Sequence, residues 1–199
     1  RMLAHYLNDK EFINDILTGD IHTANQTRAG LQSRSQAKTF IYAFLYGAGD
    51  AKIGSVVGGD KKAGRRIKQS FLSNFPSLKH LRNRITRKAD ERGFIKALDG
   101  RKIFIRSSHA ALNSLLQGAG AIVMKRALII LNNALKESNL DAHIVANVHD
   151  EWQIETWTED ADDLGELAVD AIRKAGDYYN LNCPLDGEYK IGRNWSETH

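Results

Sequence analysis

The sequence predicts an α+β protein in which a basic helical lobe comes before a core that contains a central hairpin. Three observations carry this. Apolar residues recur at helical spacing through most of the chain. Two stretches of strand composition fold back on themselves, one at Asp99-Gly100 and one at His149-Asp150-Glu151. Lysine and arginine crowd into residues 61 to 106.

The elements follow in order. Leu3 to Leu17 has the apolar spacing of one helix, stopped by Gly19. Asp20 caps a short helix from Ile21 through Gln26. Ser33 with Gln36 has the form of a capping box and opens the next helix, which leaves at Gly47 and Gly49. Gly58-Gly59 marks a turn. Lys61 to Phe75 is a strongly basic helix that ends before Pro76. Ser77 is expected to cap another, running to about Glu91. Phe94 to Arg106 reads as a hairpin, because Asp99-Gly100 favours the left-handed turns that hairpins need. Ala110 to Leu135 is long and mostly apolar, so it is expected to be largely buried. Ala142 to Val148 and Trp152 to Thr156 are strands, Glu159 to Tyr179 is an amphipathic helix, and Leu185 to Trp195 is expected to add a short strand.

Composition bounds the function. The chain has 199 residues and a net charge of +4, which suits a polyanionic partner without requiring one. Its one cysteine, Cys183, allows no intrachain disulfide and fits a reducing compartment. No unbroken apolar run approaches the roughly 20 residues of a membrane span, and no secretory signal opens the chain. Gly58 to Arg65 has glycines and lysines but not the order of a phosphate-binding loop. Seven scattered histidines and one cysteine give no zinc-ligand spacing.

Three constellations carry chemistry. Arg34, Lys38, Tyr42 and Tyr46 each follow the last by four residues. On a helix, Arg34, Lys38 and Tyr42 share a face. Two cations by a helix N-terminus suit a triphosphate, with Tyr42 offering a flat face to a sugar or base. The same spacing also fits a solvated face with tyrosines in a buried seam. Second, His149, Asp150 and Glu151 sit at a tight turn after an apolar strand, Ile144 to Val148. Adjacent carboxylates there could converge on Mg²⁺, or could serve the turn alone. A carboxylate ending a buried strand is costly without a partner or ion. Third, Asn113 and Gln117 lie four apart on the long apolar helix. They fit either minor-groove acceptors or an internal amide pair.

Together, R-x3-K-x3-Y-x3-Y-G and the later V-H-D-E resemble the family A, or DNA polymerase I-like, DNA polymerases. KTFIYAFLYGAGD, LDGRK, HAALNSLLQGAGA and NVHDE are most similar to the phage replicative branch. The resemblance covers nearly the whole chain in order. It implies the helical fingers of a right-hand polymerase and the C-terminal part of its antiparallel-sheet palm. Residues 1–19 would lead from palm to fingers, 20–106 would form the fingers, and 107–199 the palm with its metal-binding hairpin.

The resemblance also implies roles. Arg34, Lys38 and His22 would contact the phosphates of a deoxynucleoside triphosphate, and Tyr42 would pack on its sugar. Tyr46 would stack at the templating site, His149 would lie near the primer end, and Asn113 and Gln117 would read the minor groove of primer–template DNA. Asp150, the metal ligand, would form the catalytic set with Glu151 and Lys38. Two Mg²⁺ ions would serve phosphoryl transfer. A phage-encoded enzyme of this kind would work in the cytoplasm of a bacterial host, with no membrane partner.

One departure shapes the expectation. The family's second metal-binding Asp lies in a segment D-x-S-x-x-E-L-R, and Arg1 matches its last residue. The expectation is therefore a C-terminal polymerase portion that needs an upstream segment, or a second chain, for that Asp. It would meet that portion across a large interface. The alternative is a non-catalytic DNA-binding module, for which Asp150 would be dispensable.

Overall fold

The computed structural model describes residues 1–198. The chain divides into two compact units, residues 1–118 and 119–199. The first holds helices α1 (Met2–Leu7), α2 (Lys10–Thr18), α3 (Ile21–Ala29), α4 (Arg34–Leu45), α5 (Asp50–Val56), α6 (Lys61–Ser73) and α7 (Pro76–Arg92), the hairpin β1 (Phe94–Lys96) and β2 (Lys102–Phe104), and the start of α8 (Ala111–Glu137). The second holds the rest of α8, the hairpin β3 (Ala142–Val148) and β4 (Glu151–Thr156), α9 (Ala161–Tyr178) and α10 (Trp195–Thr198).

Caps set the helix boundaries of the first unit. The helix expected over Leu3 to Leu17 is two helices. Asn8 is left-handed at φ 49° and closes α1, and the Asp9 carboxylate caps α2 by accepting from the Glu11 and Phe12 N–H groups. Asp20 and Ser33 cap α3 and α4 as the sequence predicts. Ser77 does not cap α7. Pro76 holds the first helical position, where its missing N–H costs nothing, and the Ser77 hydroxyl donates to Asp9 Oδ2 at 2.7 Å. The Asp99-Gly100 hairpin forms, but only Gly100 has positive φ, and its N–H donates to Ala97 O at 3.0 Å.

An aromatic cluster fills the core of this unit. The Phe71 ring meets Phe40, Phe44 and Phe75 edge-on, at centroid distances of 5.1, 5.4 and 5.8 Å, and is fully buried. Phe12 extends the cluster to α2 at 5.0 Å from Phe75. The Arg28 guanidinium lies 4.9 Å over Phe75 and donates to Asp15 at 2.7 Å. Helix α5, which the sequence does not announce, crosses α6 with backbones touching. A Cβ on Gly64 would lie 1.9 Å from Asp50 O, so only glycine fits there. The Lys68 ammonium pairs with Asp50 at 3.0 Å across the same contact.

Helix α8 departs from the expected burial. One stripe is buried (Leu112, Leu115, Ala119, Ile122, Val123, Ala127 and Leu131), while Ile129 is 51% exposed. The spacing of that stripe is that of a helix with a single packed seam. The segment Ser108–Glu137 is nonetheless long and apolar enough, at mean hydropathy 1.5, to cross a bilayer by length and composition. Asn113, Gln117, Lys125 and Arg126 hide this in a search for an unbroken apolar run.

In the second unit, β3 and β4 pair antiparallel with Val148 opposite Glu151 and an irregularity between Ile144 and Ala146. Strand β3 is not buried: Val145 and Val148 are 62% and 40% exposed, because the described residues pair it only with β4. The tail forms no strand at residues 185–195. It packs along α9, with Leu185 against Gly176, Gly187 beside Ile172, and Tyr189 against Gly165. Arg173 on α9 donates to Asp186 at 2.9 Å.

Candidate nucleotide and metal sites

Helix α4 sorts its residues cleanly. Ala37, Phe40, Ile41 and Phe44 are buried, and Arg34, Lys38, Tyr42 and Tyr46 are exposed. The seam is made of phenylalanine, not tyrosine. The cations and tyrosines therefore form one solvent-facing line, with Tyr42 51% and Tyr46 60% exposed. Lys38 has no hydrogen bond or ion pair among the described residues.

Arg34 is held from α3. Its Nε donates to Asp20 Oδ2 at 2.5 Å and its Nη2 to Oδ1 at 3.3 Å. The same carboxylate accepts from the His22 N–H at 3.0 Å and the Thr23 hydroxyl at 2.9 Å. The Arg34 bond, foremost, holds the Asp20 carboxyl far below the usual carboxylate range and raises the Arg34 guanidinium. His22 Nδ1 is buried and has no hydrogen-bond partner among the described residues. The structure thus gathers His22 and Arg34 at the paired starts of α3 and α4, with Lys38 and Tyr42 further along the same helix. Sequence reasoning finds Asp20 as a cap and misses it as the partner of Arg34. Its only signal is a carboxylate at the start of a neighbouring helix.

A second group forms where α4 ends. Gln117 Nε2 donates to the Tyr46 hydroxyl at 3.2 Å, and Asn113 lies one turn earlier on α8. Gln117 thus has an internal partner although the residue is exposed. The chain turns sharply there. Gly47 has φ 79°, and a Cβ on it would meet His109 O at 2.9 Å.

The third group lies in the second unit. His149, at φ 54°, and Asp150 form the two-residue turn between β3 and β4. Both are exposed, so the cost of burying a carboxylate does not apply to Asp150. Glu151 opens β4, and its Oε1 accepts from Gln153 Nε2 at 2.5 Å and from Trp195 Nε1 at 3.0 Å. Trp195, not anticipated from sequence, ties the end of the chain to the hairpin. Among the described residues no three His, Cys, Asp or Glu side chains gather as a metal site. Asp150 fits one hard-oxygen ligand of a Mg²⁺ ion, and these residues alone do not complete a cage.

The model of DNA polymerase family A matches residues 1–197. The DNA-directed DNA polymerases of Enterobacteria phage T3 and Escherichia phage T7 are each 44% identical over all of this chain. DNA polymerase I of Pseudomonas aeruginosa is 28% identical over all of it. The chain spans 32% of each phage polymerase and 24% of the Pseudomonas enzyme. The POL domain of Pol1 from M. smegmatis, solved in complex with DNA primer-template and dNTP, shares the fold. Its TM-score is 0.82 over 93% of this chain and 36% of that one, at 22% identity. Helices first, then the hairpin that carries Asp150, are thus the α+β arrangement of a polymerase, and the chain belongs to DNA polymerase family A.

Proposed function

We propose that this chain carries the incoming-nucleotide surface, and part of the metal site, of a template-directed DNA polymerase that extends a primer 3′ end. The observation that carries it is the exposed line on α4, in a chain whose family match runs from residue 1 to residue 197. In this reading residues 20–106 are the fingers, 107–199 the palm, and 1–19 the link between them.

Each residue then has a physical task. Arg34 and Lys38 neutralise the triphosphate beside the N-terminus of α4, and His22 offers it a further contact. Tyr42 packs on the sugar and Tyr46 stacks at the templating base. Asn113 and Gln117 donate to minor-groove acceptors, which vary little with sequence, so a correct pair is felt whatever its identity. His149 lies by the primer end. Asp150 is a metal ligand, and Glu151 sits beside it in a fixed orientation set by Trp195 and Gln153. Two Mg²⁺ ions, when bound, supply charge neutralisation at the reacting phosphate and its leaving group. The remaining protein ligands come from sequence outside these 199 residues, on the same polypeptide or on a partner chain.

Primer extension with Mg²⁺ and four deoxynucleoside triphosphates tests this. The expected result is activity when the chain is joined or mixed with a segment of the form D-x-S-x-x-E-L, and none from the 199 residues alone. Asp150→Ala should abolish that activity while primer–template binding survives. Extension by these residues alone would overturn the shared metal site. Inactivity of the assembly with DNA binding intact would favour a non-catalytic binding module.

A further inference from the structure

Two of the three residues proposed to meet the triphosphate, His22 through its backbone N–H and Arg34 through its guanidinium, are bonded to one carboxylate. Asp20 Oδ1 accepts from the His22 N–H and from Arg34 Nη2, while Oδ2 accepts from Arg34 Nε and the Thr23 hydroxyl. We infer that Asp20 is a positioning residue for nucleotide binding: it fixes the Arg34 guanidinium by one edge and aligns the starts of α3 and α4, leaving Nη1 for a phosphate. This rests on the nucleotide-binding role proposed for α4.

The geometry favours positioning over simple neutralisation. A guanidinium has five N–H donors in a rigid fork, and a carboxylate that takes the Nε and Nη2 edge leaves the Nη1 side free. Arg34 has no other partner among the described residues. It is an exposed side chain, 57% accessible, at the first position of its helix. Such an arginine without a tether samples many rotamers, and ordering it on ligand binding costs affinity. Asp20 bears that ordering beforehand. It also stands 14 residues from Arg34, so it couples two helices whose relative placement decides whether His22 and Arg34 reach one ligand together.

Steady-state kinetics of the active assembly test the inference. Asp20→Ser keeps an N-cap for α3 and removes the carboxylate. Asp20→Asn does the same should the serine variant fail to fold, with thermal melting as the check. Either is expected to raise KM for the deoxynucleoside triphosphate about tenfold, the usual worth of a charged hydrogen bond, with kcat changed less than about twofold. In an Arg34→Ala background the same change should add nothing, because positioning acts through Arg34. An unchanged or lowered KM, a fall in kcat alone, or an equal loss in the Arg34→Ala background would overturn the inference. Arg34→Ala separates the two levels. If it leaves KM unchanged, the nucleotide reading of α4 is wrong. If it raises KM while Asp20→Ser does not, only the positioning role is wrong.

Discussion

Asp20 and Asp150 show how differently two carboxylates can sit in one chain. Asp20 is tied to Arg34, and its folded pKa lies below the unfolded value near 4. Its contribution to stability is therefore fully present above about pH 4 and is lost as pH falls further, toward the depressed folded value. The melting temperatures of the parent and Asp20→Asn should differ at pH 7, and the gap should narrow below about pH 4. Asp150 has no hydrogen bond among the described residues and is exposed at its turn. Asp150→Ala should thus shift unfolding free energy by no more than about 0.5 kcal/mol in denaturant titration. That pairs a silent stability effect with the loss of extension expected above. At this scale the sequence was informative where residue type and spacing sufficed, as in the α4 line. It was silent on what a side chain grips across fourteen positions, because Arg34 has several acidic residues in reach of sequence and only the fold selects Asp20.

Among the elements, α5 and α6 are joined by a contact too close for any side chain at Gly64, and Phe71, near the end of α6, sits among the rings of Phe40, Phe44 and Phe75. Gly64→Ala should cost about 3 kcal/mol, since the helices must separate to admit a methyl group. Phe71→Ala should cost about 3–5 kcal/mol through the cavity left among three other rings. Equilibrium urea unfolding followed by circular dichroism checks both. Helix boundaries were legible where a strong capping residue met the apolar pattern, at Asp20 and Ser33. They were misread at Asn8-Asp9, where apolar spacing ran on across a break made by a left-handed asparagine. The expected strand at 185–195 failed for a nonlocal reason. The glycines that receive the tail lie on α9, well before it in sequence.

For the whole molecule, the positive charge concentrated at 61–106 should make primer–template affinity fall steeply with salt, as log K against log salt measures. A flat response would place DNA binding elsewhere. The order of helices and hairpins was readable because it rests on periodicity and turn residues. The depth of burial was not, since α8 and β3 carry apolar residues that the described chain leaves open. The seating of the tail on α9 has one more consequence. Gly165 and Gly176 are eleven residues apart on a helix, roughly 16 Å. Leu185 and Tyr189, which fill them, are four apart on the tail, at most about 14 Å when extended. The span leaves almost no slack, so relatives of this chain should rarely vary in length there. An inserted or deleted residue would unseat one side chain as it served the other.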